Sequence, residues 1–171
     1  IKWLLGIVSL KHLEIELENQ ILKLMSVFGR IDHLDSHQHI HMIPEIFKLC
    51  IKMAEKYDIP RIRIVDEISP PKLKRISDPI KLIGEKCLKV WAKKNRKYLK
   101  KSSIKSTKNF FGVRYSGNFD LIQDYLKSMI KERREEDIEI NFHPAHITQS
   151  LLSTYPWYKN GNVDFDILNR S

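Results

Sequence analysis

The sequence has few of the features that identify disulfide-rich, membrane or multidomain proteins. It holds two cysteines in 171 residues, too few for a disulfide framework. No stretch approaches the roughly 20 consecutive apolar residues that a membrane-spanning helix needs. Its glycines and prolines form no interior linker, and no segment repeats. Since 42% of the residues are hydrophobic, we expect one domain over residues 1–171 in a reducing, cytoplasmic compartment, with Cys50 and Cys87 as small buried hydrophobic residues.

Acidic residues are missing from residues 86–119, which carry eleven Lys and Arg. The other residues hold 19 bases against 21 acids, so this segment accounts for the whole net charge of +9. An apolar stripe at helical spacing predicts an amphipathic helix with solvated lysines on its other face. That stripe consists of Ile80, Ile83, Cys87, Val90, Trp91, Tyr98 and Leu99.

This basic segment raises the alternative of a module that binds nucleic acid or an anionic surface. However, none of its aromatic residues is interleaved with the lysines as a base-stacking platform, and no DNA-binding motif is visible. We therefore expect no nucleic-acid partner and no membrane partner, and we interpret residues 86–119 as a solvated helix and loop.

What the sequence does have is a concentration of histidine in "HLDSHQHIHM", residues 33–42, which holds four of the seven histidines. On an extended chain alternate residues share a face, so His33, Asp35, His37, His39 and His41 would point the same way. Neutral imidazole is the commonest side chain that binds divalent ions. The pattern favours a metal-binding or catalytic role over simple packing, with His33 structural because it lies at the start of the strand.

Helices and strands alternate along the chain. A helix over residues 10–28 with Ser9 as its cap precedes the strand "IDHLDSH", and a helix that begins at Pro44 precedes the strand "RIRIV". The basic helix, the strand "NFFGV", a helical stripe over residues 121–130 and the strand "DIEINF" follow. Such alternation predicts a parallel sheet, open or closed into a barrel, whose chemistry collects at the carboxyl ends of the strands.

A second candidate site follows the strand in "DIEINFHPAH". Ile138, Ile140 and Phe142 form its apolar face, and the opposite face ends at His143. A lone histidine at such a position is more often a hydrogen-bonded strand-end residue. Together with the histidine run on another strand end, His143 is a candidate for a shared cavity.

Two blocks of the sequence resemble the YdjC-like carbohydrate deacetylases, the family that includes the chitooligosaccharide deacetylase. They are "DHLDSHQHIHMIPEIFKLCIKMAEKYDIPRIRIVDE" and "DIEINFHPAHI", and the linking "NFFGVRYSGNFD" is similar to the family's middle segment. The resemblance covers essentially all 171 residues. The tail "LLSTYPWYKNGNVDFDIL" departs from the family pattern, which puts substrate contacts there in doubt.

The resemblance implies an irregular (β/α) barrel, similar to a TIM barrel, of which this chain supplies the C-terminal two-thirds. It also implies a divalent ion, Mg²⁺ or Zn²⁺, that serves to remove the N-acetyl group from an amino sugar in a short oligosaccharide. The family takes one ligand from the "DSH" run, which is His37 here. Its other two ligands, an aspartate and a histidine, have no counterpart in this sequence, so we expect the 171 residues alone to be inactive.

Roles for the remaining candidates follow from metal-assisted amide hydrolysis. We expect His143 to protonate the departing amine and Asp35 to orient a histidine. Arg63 is a candidate partner of a catalytic carboxylate, with a surface salt bridge as the alternative. His39 and His41 are expected to line the sugar site, with His41 as a reserve ligand. A non-catalytic metal-binding module and a homodimer are left open.

Overall fold

The computed structural model describes residues 9–68, 79–113, 123–132 and 137–154. These residues belong to two compact units, one within residues 1–65 and 88–106 and the other within residues 66–87 and 107–171. Among the residues described, none of the helices has the length and apolar content that a membrane-spanning segment requires. The single domain and the irregular barrel stay predictions.

Helix α1 (Leu10–Phe28) opens the described part of the first unit and confirms the predicted helix. The Ser9 hydroxyl accepts a hydrogen bond from the backbone N–H of His12 at 3.2 Å, which is the capping role predicted for it. The helix ends at Gly29, whose φ of 76° places it in the left-handed region that glycine adopts without steric cost.

Helix α2 (Pro44–Lys56) follows, with a proline in its first turn as predicted. Its buried face consists of Pro44, Phe47, Cys50, Ile51, Met53 and Ala54. Burial raises the pKa of the Cys50 thiol to about 12, so this cysteine stays protonated and acts as a small apolar residue, as predicted. Helix α1 packs against α2, where Lys52 pairs with Glu14 and Lys56 pairs with Glu18.

Short parallel pairings join three extended segments of the first unit. Leu34 pairs with Ile62, and Arg61 pairs with Lys105. The backbone N–H of Leu34 donates to the carbonyl of Arg61 at 3.0 Å, and the N–H of Arg63 donates to the carbonyl of Leu34 at 3.0 Å. The predicted strands "IDHLDSH" and "RIRIV" are therefore present as isolated bridges, and the first of them places the histidine run directly after a paired residue.

Helix α3 (Pro79–Leu99) confirms the predicted basic helix but not its buried face. Ile83 and Val90 are 64% and 67% exposed, and Cys87 is exposed as well, so the predicted stripe is wrong at these three positions. Among the side chains of α3 that the structure describes, the buried ones are Glu85, Ala92 and Asn95. The buried face of α3 thus carries one small residue and two polar residues. A prediction based on the spacing of large apolar residues does not find such a face. Ile80 lies among side chains outside the described set.

The second unit contains a two-stranded parallel sheet, β1 (Asn109–Phe111) and β2 (Ile138–Ile140), with Asn109 opposite Ile138. Helices α4 (Gln123–Glu132) and α5 (Gln149–Thr154) accompany it. The predicted apolar face of "DIEINF" is confirmed, because Ile138, Ile140 and Phe142 pack against a buried cluster of Phe111, Leu126 and Met129. Residues 121 and 122 of the predicted helical stripe lie outside the described residues.

Candidate active site

The histidine run leaves the extended conformation immediately after Ser36. Residues His37–Met42 form a short 3-10 segment, in which Gln38 and His39 have left-handed φ values of 52° and 57°. The predicted alternation, with every second residue on one face, is therefore wrong beyond Asp35. A non-glycine residue in this conformation costs about 1–2 kcal/mol. Two in succession persist only where the surrounding structure holds them, and such strain clusters at functional sites.

His41 is the main internal support of this turn. Its side chain is 2% exposed, and both ring nitrogens have protein partners: Nδ1 lies 2.8 Å from the Ser36 hydroxyl, and Nε2 lies 3.1 Å from the carbonyl oxygen of Arg63. A carbonyl only accepts, so Nε2 carries the proton. The Ser36 hydroxyl also accepts the His41 backbone N–H at 2.9 Å, which leaves its own hydrogen for Nδ1.

This buried environment favours a neutral imidazole. Burial lowers the pKa of His41 from 6.5 to about 4, because a charged ring would lose its hydration there. With both nitrogens engaged, the ring as placed here has none left for a metal ion or a sugar. Its predicted roles as sugar-lining residue and reserve ligand do not fit this placement, because the side chain faces the interior and joins residues 36 and 63.

Arg63 is connected to the histidine run at three points. Its backbone N–H donates to Leu34, its carbonyl accepts from His41, and its Nη1 lies 2.5 Å from Oδ2 of Asp35. Its side chain is 14% exposed, against 39% for that of Asp35. The pairing of Arg63 with a candidate carboxylate is thus present, and the carboxylate is Asp35, which was predicted to orient a histidine. The role of the Arg63 backbone could not be predicted, because any residue type supplies it.

His37 is exposed at the start of the turn, and none of the residues described here hydrogen-bonds to its ring. His39 is half-buried, with its ring edge-on to His41 at 6.4 Å between centroids. Within the described ranges, no three His, Cys, Asp or Glu side chains are close enough to hold a metal ion together. An accessible neutral imidazole is suited to be one ligand of a divalent ion, so His37 fits a metal site as one member of a larger ligand set.

His143 lies in the second unit, exposed beyond the end of β2. The Asn141 side-chain amide lies 3.2 Å from its Nε2, and the Asn141 backbone N–H donates to the Phe111 carbonyl at 2.8 Å. Residue 143 is therefore held close to the sheet end, as predicted. The shared cavity between His143 and the histidine run stays a prediction.

The sequence interpretation missed Glu67, a buried acid in the second unit. Its carboxylate accepts the backbone N–H of Gly112 at 3.1 Å and that of Val113 at 2.8 Å. Gly112 has a φ of 133°, and a Cβ there would lie 2.4 Å from the carbonyl oxygen of Asn141. Thus Glu67 fixes the turn after β1. Gly112 in this turn lies against Asn141, whose side chain contacts His143. The sequence signals were an acid after a β-branched strand and a glycine after "NFF".

Comparison with known proteins gives a match to the family model described as YdjC-like protein over residues 1–170. A carbohydrate deacetylase of Thermoanaerobacter pseudethanolicus is 25% identical over 157 residues, which are 92% of this chain and 51% of that protein. A carbohydrate deacetylase of Clostridium beijerinckii is 26% identical over 146 residues, 85% of this chain and 47% of that protein.

A chitooligosaccharide deacetylase of Yersinia pestis is 38% identical over 65 residues, 34% of this chain and 26% of that protein. The chain spans about half the length of the first two relatives.

Proposed function

Because the chain belongs to the YdjC-like family, we propose that the protein is a metal-dependent hydrolase that removes the N-acetyl group from an amino sugar of a chitooligosaccharide. The relatives named above as carbohydrate and chitooligosaccharide deacetylases support this class of reaction and substrate. The irregular (β/α) barrel is the fold that we propose for it.

The observation that carries the proposal is the position of His37. It is an exposed imidazole that follows the paired residue Leu34 and begins a strained turn. The Asp35–Arg63 ion pair and the hydrogen bond of the buried His41 to the Arg63 carbonyl hold the turn in place. The strained turn and the buried hydrogen bonds hold this imidazole in a fixed, exposed position. A metal ligand needs such a fixed position.

When bound, a divalent ion would polarise the acetamide carbonyl and lower the pKa of a water, which would add to the acetyl carbon while an aspartate takes its proton. His37 would hold that ion together with the aspartate and histidine that the family resemblance implies. His143, in its protonated form, donates a proton to the amine nitrogen as the C–N bond breaks and acetate is released, since an amine leaves poorly as an anion. The Asn141 amide lies beside the His143 ring and, turned so that its oxygen faces Nε2, accepts from the protonated ring. The Asp35–Arg63 pair holds the start of the histidine turn.

The experiment is to compare His37→Ala with His33→Ala in the full-length protein. We expect His37→Ala to lose stoichiometric metal and deacetylation of an N-acetylated oligosaccharide together. His33 is a matched control, because it is an exposed histidine four residues earlier, and its variant should keep both.

Equal metal content in the wild type and the His37 variant would overturn the ligand assignment. Metal bound stoichiometrically without any release of acetate would favour the non-catalytic metal-binding module instead.

A further inference from the structure

Helix α3 contributes a buried amide to the far end of the histidine turn. Asn95 is 0% exposed, and its Nδ2 donates to the backbone carbonyl of Met42 at 2.8 Å, across 53 residues of sequence. Met42, also 0% exposed, is held a second time, because its sulfur lies 3.4 Å from the backbone N–H of Val65. The turn is thus held by hydrogen bonds at Met42 as well as at Ser36.

The Met42 carbonyl needs a donor from outside the local backbone. The 3-10 segment closes with the N–H of Ile43 on the carbonyl of Ile40, and α2 begins with the N–H of Phe47 on the carbonyl of Ile43. The Met42 carbonyl takes part in neither of these two hydrogen bonds. A buried carbonyl without a partner is costly, so the Asn95 amide determines where the chain passes from the turn into α2.

Core packing does not account for an asparagine at this position. Within the described part of the chain, the Oδ1 atom of Asn95 is buried without a hydrogen-bond partner, and such an atom lowers stability. A leucine has the same number and branching of side-chain heavy atoms and leaves no orphan oxygen. What the asparagine alone supplies is the donor to Met42.

We propose that Asn95 is a positioning residue for the histidine turn, His37–Met42, and through it for the proposed metal ligand His37. Its hydrogen bond sets the exit of the turn, while Ser36 and His41 set its entry, and the two together fix the direction of the His37 imidazole. This inference rests on the proposed role of His37 as a metal ligand. Nothing in the sequence near Asn95 signals it, because the surrounding residues are the lysines of the basic segment.

The test is to titrate Zn²⁺ into the metal-free full-length protein against a chromophoric chelator. We expect Asn95→Leu, which keeps the branching of the side chain but removes the donor, to weaken Zn²⁺ binding about tenfold or more. Asn95→Ser, whose side chain is too short to reach Met42, should weaken it similarly and serves if the leucine variant does not fold. Thermal unfolding of each metal-free variant reports stability separately.

Ile51→Val is the matched control, because it trims a buried side chain of α2 in the same unit and changes no polar contact. It should lower the unfolding midpoint and leave Zn²⁺ affinity as in the wild type. Wild-type affinity in both Asn95 variants, or an equal loss in Ile51→Val, overturns the inference. His37→Ala distinguishes the proposed function from the positioning role of Asn95. Unchanged Zn²⁺ binding in His37→Ala refutes the proposed function itself. Loss of Zn²⁺ binding in His37→Ala, with wild-type binding in both Asn95 variants, refutes only the positioning role.

Discussion

The buried His41 makes a specific prediction about stability and pH. Its pKa is about 4 in the folded protein and ordinarily 6.5, a difference of about 2.5 units, and each unit corresponds to about 1.4 kcal/mol. Below pH 6.5 the unfolded chain binds a proton at this site that the folded protein does not bind. The free energy of unfolding should therefore be highest above pH 6.5 and fall by about 3 kcal/mol between pH 6.5 and 4.

The assay is urea unfolding of the full-length protein, followed by tryptophan fluorescence at intervals between pH 4 and 8. A chelator removes competition between protons and metal. His41→Gln isolates the effect, because its amide can still donate toward the Arg63 carbonyl but does not titrate. The free-energy difference between wild type and this variant should change by about 3 kcal/mol across the window, in favour of the wild type at pH 7.

His33→Gln is the control, since it removes an exposed histidine from the same segment, and its pH profile should follow that of the wild type. Parallel profiles for wild type and His41→Gln would refute the reasoning. They would mean that the folded protein accommodates a charged ring at this site, and that the hydrogen-bond arrangement deduced for Ser36 and Arg63 is wrong.

Three further predictions concern other parts of the chain. Gly112→Ala should lower the free energy of unfolding by about 3 kcal/mol or more, because its Cβ would meet the Asn141 carbonyl at 2.4 Å. As a control, Gly84→Ala on α3, where the added Cβ has open space, should raise the free energy of unfolding by up to about 1 kcal/mol. Similar effects at both sites would contradict this prediction. His143→Ala should lower kcat on an N-acetylated oligosaccharide by about 10² to 10⁴ with metal content unchanged, and by less on an acetyl ester, whose leaving group needs less protonation; an equal loss on both substrates counts against a general acid. Residues 86–119 should give only weak binding to random DNA at about 150 mM salt, and micromolar affinity that falls steeply with added salt would restore the alternative of a basic binding module.

Much of the local structure could be predicted from the sequence because short-range physical chemistry decides it. The Ser9 cap, the proline that opens α2 and the two-residue alternation of "DIEINF" each depend on residues within a few positions of one another. The histidine cluster and its family resemblance also follow from the sequence alone, since both depend on residue type and spacing. They pointed to His37 without any coordinates.

The tertiary structure decided which candidate histidine stays accessible. An extended strand would have placed His37, His39 and His41 alike, but the left-handed turn leaves the first exposed and buries the last. The interactions that select this turn join residues 22 and 53 positions apart, His41 with Arg63 and Asn95 with Met42. Two of these partners act through backbone carbonyls, which every residue type possesses. A pattern of side chains therefore carries no record of them, and only the folded chain brings them together.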